Sequence, residues 1–274
     1  MIIAEIGINH NGDIEVAFAL MDAAEEAGAD AVKFQKRTVN VVYSSEDLAK
    51  PRESPWGTMQ REQKEGLELG QDDYDHIDEY SRDIGLPWFA SAWDIPSLEF
   101  LDRYDLHYNK IASAMITHIP FLCEVADRGK PTFISTGMCT MQDVYRAVDI
   151  FTEKGCECIL MHCVGTYPCP PEKLNLRFIR TLKNEFPHLS VGYSGHEVGL
   201  NTTYAAVALG AEHIERHITL DRSMYGSDQA ASIEPGGFRR MVDGVREIEK
   251  SLGTGKKLFN GGEQEVAGKL RYWK

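Results

Sequence analysis

The chain has 274 residues, is 43% hydrophobic and 26% charged, and carries a formal net charge of −13. That size and balance suit one large soluble α/β domain, and the acidity excludes nucleic acid as a partner because no basic stripe offers a phosphate footprint. "MIIAEIGINHNG" has no basic n-region, and no run of 18 apolar residues follows, so a cytoplasmic protein without signal peptide or membrane span is expected.

Strand patterns fall at 2–8, 31–35, 87–92, 108–112, 131–135, 158–163, 190–194 and 213–219. Helical patterns fall between them at 14–27, 72–84, 96–103, 118–128, 140–154, 173–185, 199–209 and 236–252. The first helix has the clearest ends, with Asp13 as N-cap and Gly28 as its stop. Eight alternating pairs predict a closed (β/α)8 TIM barrel over residues 1–274 as a single domain. A doubly wound sheet is disfavoured because "GINHNG" after the first strand does not fit G-x-G-x-x-G. Residues 36–71 form a long connection, which reads as a lid, a binding segment or a surface insertion in which "REQKEGLEL" adds a helix. The six cysteines lack C-x-x-C spacing and read as reduced thiols.

Barrel chemistry sits at the C-terminal ends of the strands. There the sequence offers Glu5, Asn9 and His10, then Lys33 and Gln35, Ser91 and Trp93, and Lys110 and Ser113. Ser135 and Thr136, His162 and Tyr167, Ser194 and His196, and Glu215 and His217 follow. Each alone has a structural reading: a serine caps a helix, and His10, His162 or His213 is a satisfied core histidine. Together they point elsewhere. Buried lysines need an anion, hydroxyls beside them suit phosphate and carboxylate, and two histidines on adjacent strands suit a divalent metal. In "AEHIERHITLDR", His213, Glu215 and His217 share one strand face; Ile214, Ile218 and Leu220 share the other with Arg216, which needs a carboxylate partner there.

"AEIGINHNG", "VKFQ", "KIAS", "STGM", "HCVGTYPCPPEKLNL", "GYSGH" and "IERHITLDR" resemble the sialic acid synthase family along essentially the whole chain. The resemblance implies condensation of phosphoenolpyruvate with an N-acylated amino sugar, N-acetylneuraminate synthase-like, to a 3-deoxy-2-ulosonic acid and phosphate. Lys33, Ser91 and Lys110 match positions that hold the phosphoenolpyruvate carboxylate, and Ser113, Ser135 and Ser194 match phosphate positions. His196 and His217 match the ligands of Mn²⁺ or Mg²⁺. Glu5, Gln35, Tyr167, Glu215 and Asp228 match polar positions around sugar and metal-bound water, with Trp93 at the same strand ends. Glu215 or Glu5 is expected to handle the proton of the attacking water.

The resemblance also implies a homodimer and a C-terminal antifreeze-like domain that brings an arginine to the partner subunit's site. A separate antifreeze-like protein, or the 36–71 segment with Arg37, Arg52 and Arg61, is the expected substitute. Three positions depart from the family pattern: Ala114-Met115 after "KIAS" for Gly-Glu, Gly165 before the sixth-strand tyrosine, and Gly195 in "SGH" for Asp. All lie on the sugar side, which implies a retained donor and an altered acceptor. The rival readings are a 3-deoxy-octulosonate-8-phosphate synthase-like enzyme with a phosphorylated acceptor, a metal-dependent pyruvate aldolase, and a non-catalytic barrel that binds phosphoenolpyruvate or a sugar acid.

Overall fold

Strands Ile2–Gly7 (β1), Ala31–Lys36 (β2), Trp88–Ala92 (β3), Asn109–Ile111 (β4), Thr132–Ser135 (β5), Cys158–Cys163 (β6), Val191–Gly195 (β7) and His213–His217 (β8) close into one parallel barrel in a computed structural model. It describes residues 1–273. β1 pairs with both β2 and β8, and every other strand pairs with its neighbours in sequence. This is the TIM barrel expected from the strand and helix alternation. The strands are short apolar runs buried on both faces, as a parallel sheet wrapped by helices requires.

The first helix, Ile14–Glu26 (α1), starts where Asp13 accepts hydrogen bonds from the backbone N–H groups of Glu15 and Val16. It buries Ala17, Leu20, Met21 and Ala24 against the barrel, one stripe at helical spacing. Gly28 follows at φ +83°, the left-handed stop expected of it. No helix is long and apolar enough to cross a membrane among the described residues. All six cysteines are free thiols.

Residues 36–71 are folded. They contain short helices Val39–Val42 and Ser45–Leu48, an antiparallel pair Pro51–Ser54 with Gly57–Met59, and a helix Gln60–Leu67 over the anticipated "REQKEGL". This segment rests on the mouth of the barrel. A Cβ at Gly12 would lie 1.9 Å from the Gly66 carbonyl oxygen, so only glycine lets the two backbones approach. Asp94 ties the segment to β3, accepting from Thr38 N–H at 2.7 Å while it caps the next helix through Ser97 N–H at 2.8 Å. A further helix, Gly261–Leu270, follows the barrel and buries no residue; the sequence reading ended its helices at 252.

Candidate active site

Alternation along each strand divides the barrel interior into layers. The lower layer is apolar: Ile3, Ala31, Phe89, Phe133, Ile159 and Met161 form a closed cluster with Met1 and Tyr108 packed against it. Two residues further along each strand the inward side chain becomes polar. Glu5, Lys33, Ser91, Ser135, Cys163 and Glu215 stand above that plug. The register holds them level: Glu215 lies opposite Ser194, Ser91 opposite Lys110, and Glu5 opposite both Lys33 and His217.

These side chains meet in a cavity of about 120 Å³. Glu5, Lys33, Gln35, Ser91, Trp93, Lys110, Ser113, Ser135, Tyr167, Ser194, His196, Glu215 and His217 all line it. Asp228 lies outside, lining an adjoining cavity, with its Oδ2 3.9 Å from His217 Nδ1. Asn9, His10, Thr136 and His162 are structural. Asn9 donates to the Ile218 carbonyl and Ser232 Oγ, His10 Nδ1 accepts from Gly12 N–H, Thr136 donates to the Met161 carbonyl, and His162 Nε2 meets the Leu174 carbonyl. His213 packs edge-on to Phe133 in the lower layer.

Two lysines and two carboxylates form the centre. Lys33 Nζ lies 2.5 Å from Glu5 Oε2 and 3.8 Å from Glu215 Oε1, and it donates to Ser91 Oγ at 3.0 Å. Lys110 donates to Glu215 Oε2 at 2.6 Å, and Ser194 donates to Glu215 Oε1 at 3.0 Å. None of the four charged side chains is more than 5% exposed. Isolated charges are not tolerated at that depth, so each of these groups needs the opposite charges beside it.

The two carboxylates differ sharply. Burial pushes the Glu5 carboxyl up to about 7, with Lys33 opposing and Glu215 adding to the rise. Burial pushes Glu215 the same way, but Lys110 and Lys33 outweigh it and hold that carboxyl well below its usual range. One is poised to exchange a proton near neutrality; the other is a fixed anion. Burial also lowers Lys110, against the pull of Glu215.

His196 and His217 stand with ring centroids 5.4 Å apart, and Tyr167 stacks on His196 at 3.8 Å. His196 Nδ1 lies 2.9 Å from the Val164 carbonyl, which accepts from its N–H and so leaves Nε2 as the lone-pair nitrogen. Burial pulls His217 down to about 4, so it is a neutral imidazole, and its buried Nδ1 has no hydrogen-bond partner among the described residues. Two imidazoles on adjacent strands with carboxylates nearby form a donor set that fits a divalent ion. No group of three or more His, Cys, Asp or Glu side chains converges on one ion position among the described residues. The set therefore fits an ion that completes its shell with oxygens from water or substrate.

Two features escaped the sequence reading, and the three loop arginines it named divide. Cys163 lines the cavity, two residues beyond Met161 on the inward face of β6, and that parity was the available signal. Glu197 is the partner of Arg216, at 2.8 Å. Arg37, of the three loop arginines, lies against the site: it stacks on Trp93 at 4.2 Å and donates to Gln35 Oε1. Arg61 instead pairs with Asn40 and Glu65 on the exposed surface, and Arg52 is exposed. The departures from the family pattern also have local causes. A Cβ at Gly195 would lie 2.5 Å from Glu197 Oε2, and one at Gly165 would lie 3.0 Å from Met138 Cγ, so neighbouring side chains already fill both places.

The NeuB family model matches residues 20–257. The chain is 41% identical over 258 residues to N-acetylneuraminate-9-phosphate synthase of Mus musculus, covering 92% of this chain and 71% of that one. It is 36% identical over 279 residues to N,N'-diacetyllegionaminic acid synthase of Legionella pneumophila, covering 98% and 78%. The crystal structure of N-acetylneuraminic acid synthetase from Leptospira borgpetersenii superposes with a TM-score of 0.88 at 33% identity, over 99% of this chain and 92% of that one. A barrel carrying this polar layer, matched over that span, belongs to the NeuB family of phosphoenolpyruvate-dependent ulosonic acid synthases.

Proposed function

We propose that this enzyme joins phosphoenolpyruvate to the open-chain aldehyde of an N-acylated amino sugar, releasing phosphate and a 3-deoxy-2-ulosonic acid. The observation that carries this reading is the buried layer in which Lys33 and Lys110 meet Glu5 and Glu215 beside Ser91 and Ser194. The mouse relative is a synthase of N-acetylneuraminate 9-phosphate and the Legionella relative one of N,N'-diacetyllegionaminic acid, and both names describe N-acylated ulosonic acids.

Lys33, Ser91 and Lys110 bind the donor's carboxylate, and Ser113, Ser135 and Ser194 its phosphate, which keeps both anions in the polar layer above the apolar plug. Gln35, Trp93, Tyr167 and Asp228 contact the acceptor; the first three line the inner cavity and also form the wall it shares with the next. C3 of the donor attacks the aldehyde carbon. Water then adds at C2, and the C2–O bond to phosphate breaks. Glu5 takes the proton of that water, because burial and pairing bring its carboxyl near neutrality. Glu215 stays ionised between Lys110 and Ser194 and stabilises positive charge that develops at C2.

Enzymes of this family are generally metal-dependent, and His196 and His217 are the residues that would hold Mn²⁺ or Mg²⁺. When bound, such an ion polarises a carbonyl oxygen as a Lewis acid. The test is phosphate release from phosphoenolpyruvate with Mn²⁺ against a panel of N-acylated hexosamines, plain aldoses and aldose phosphates. Turnover with N-acylated hexosamines, phosphorylated or not, is expected. Exclusive use of non-acylated aldose phosphates would move the assignment to an octulosonate-8-phosphate type of synthase.

A further inference from the structure

The segment 164–177 joins β6 to the helix Phe178–Glu185, and three of its groups close around His196. The Val164 carbonyl accepts from His196 Nδ1 at 2.9 Å, and the Cys169 N–H donates to the His196 carbonyl at 2.9 Å. The Tyr167 ring stacks on the imidazole at 3.8 Å, stands edge-on to His217 at 5.7 Å and lines the cavity. Whatever fixes this segment therefore fixes how His196 presents Nε2 and where Tyr167 sits.

Its far end is held by His162. Met161 and Cys163 face the barrel interior, so His162, between them on β6, faces outward and does not line the cavity. There the buried ring packs against Phe178 at 5.4 Å and Tyr193 at 5.9 Å. Its Nε2 stands 2.7 Å from the Leu174 carbonyl. A carbonyl only accepts, so Nε2 carries the proton and the bond runs from the barrel wall to the far part of the segment. Nδ1 is then the bare nitrogen, and it is buried with no hydrogen-bond partner among the described residues. An apolar side chain would fill the same space; what the imidazole adds is that one N–H.

We infer that His162 is a positioning residue: its N–H, through the Leu174 carbonyl, holds the 164–177 segment on the barrel wall and so keeps His196 and Tyr167 in place. The segment has one covalent anchor, where Val164 follows Cys163 at the end of β6, and this bond supplies the second. Without it the segment leans on His196 instead of supporting it. Outer partners that aim a metal-binding histidine are worth about 10–100-fold in affinity for the ion. His162 touches neither ion nor substrate; its effect passes through His196 to the ion and through Tyr167 to the acceptor. Lys33, Ser91 and Lys110 come from β2, β3 and β4, so the donor's carboxylate contacts are independent of it. Only the turnover arm of the test rests on the condensation reading above.

The experiment compares His162→Leu, His162→Asn and His162→Gln with the wild-type enzyme. Glutamine places an amide N–H near the position of Nε2, asparagine places one near Nδ1, and leucine offers none. Mn²⁺ binding is read without substrates, from the loss of the free-ion electron paramagnetic resonance signal. It should weaken at least tenfold in His162→Leu and His162→Asn, and His162→Gln should retain most of the wild-type affinity. In turnover at saturating Mn²⁺ with N-acetylmannosamine, the acceptor's KM should rise severalfold in the first two variants while that of phosphoenolpyruvate stays within twofold. Urea denaturation reports whether each variant folds, and His162→Asn carries the comparison if His162→Leu does not. A smaller loss of Mn²⁺ affinity in the folded variant overturns the assignment. Equal weakening in all three variants overturns it too, because the ring would then act by packing alone. Loss of folding in both His162→Leu and His162→Asn makes the bond one of stability only and also overturns it. The expected Mn²⁺ pattern with no turnover by the wild-type enzyme overturns the condensation reading and leaves the positioning role standing.

Discussion

Arg216 and Glu197 form an ion pair at 2.8 Å in which neither side chain is accessible to solvent. Arg216 NH2 also donates to the Glu197 carbonyl at 2.6 Å, and its NH1 donates to the Gly199 carbonyl at 3.1 Å. Glu197 is held in turn by Thr202, Thr203 and Tyr193. The pair lies on the outer side of the barrel, where Arg216 needed a carboxylate. It also joins the residue after His196 to the residue before His217, so it fixes the relative position of the two imidazoles. Glu197→Gln leaves a buried guanidinium without its counter-charge and should destabilise the fold by about 3–5 kcal/mol. Glu197→Gln with Arg216→Met should restore more than half of that loss in urea denaturation. Mn²⁺ affinity should stay weakened in the double variant, because the link between the two strands is gone.

Glu5 is the carboxyl raised to about 7, burial being the main cause. As a base it works only when ionised, so kcat/KM should rise with pH through about 7 and then level. Glu5→Gln should lower kcat by about 10²–10⁴-fold and remove that limb of the profile. A profile unchanged in the variant would transfer the proton to another group.

His10 and His213 are both pulled down to about 4, chiefly by burial, so each stays neutral in the fold until well below its ordinary value of 6.5. Unfolding therefore takes up protons between about pH 6.5 and 4. The stability they contribute is fully present above pH 6.5 and is lost as pH falls toward 4. Urea midpoints should drop across that window, by up to about 1.4 kcal/mol per pH unit for each proton taken up. His213→Phe should give a shallower slope, since its Nδ1 has no partner to lose among the described residues and Phe133 offers an apolar contact.

The barrel strands were legible because each is a short apolar run whose inward positions turn polar at one end. Parity along "HIERH" was enough to put Glu215 and His217 in the cavity and Arg216 outside it. The pair Pro51–Ser54 with Gly57–Met59 was not legible: its strands are only four and three residues long and none of their residues is buried. Gly261–Leu270 opens on two glycines and buries no residue, so it lacks the apolar stripe by which other helices announce themselves. Glu197 follows His196 in sequence, yet its role depends on β7 and β8 lying side by side, which only closure of the barrel provides. The adjoining cavity had a partial signal in the arginines of the 36–71 segment. Which of them turns inward is decided by stacking on Trp93, a residue from β3's end.

The central claim is that C–C bond formation at the aldehyde is coupled to loss of phosphate from C2. It is tested most directly by mass spectrometry of both products formed from N-acetylmannosamine or its 6-phosphate, Mn²⁺, and phosphoenolpyruvate labelled with ¹⁸O at the bridging oxygen. The account predicts an acid whose mass is that of the acceptor plus pyruvic acid, with the label in the released phosphate. A labelled acid with unlabelled phosphate, or free pyruvate with no new acid, would contradict it.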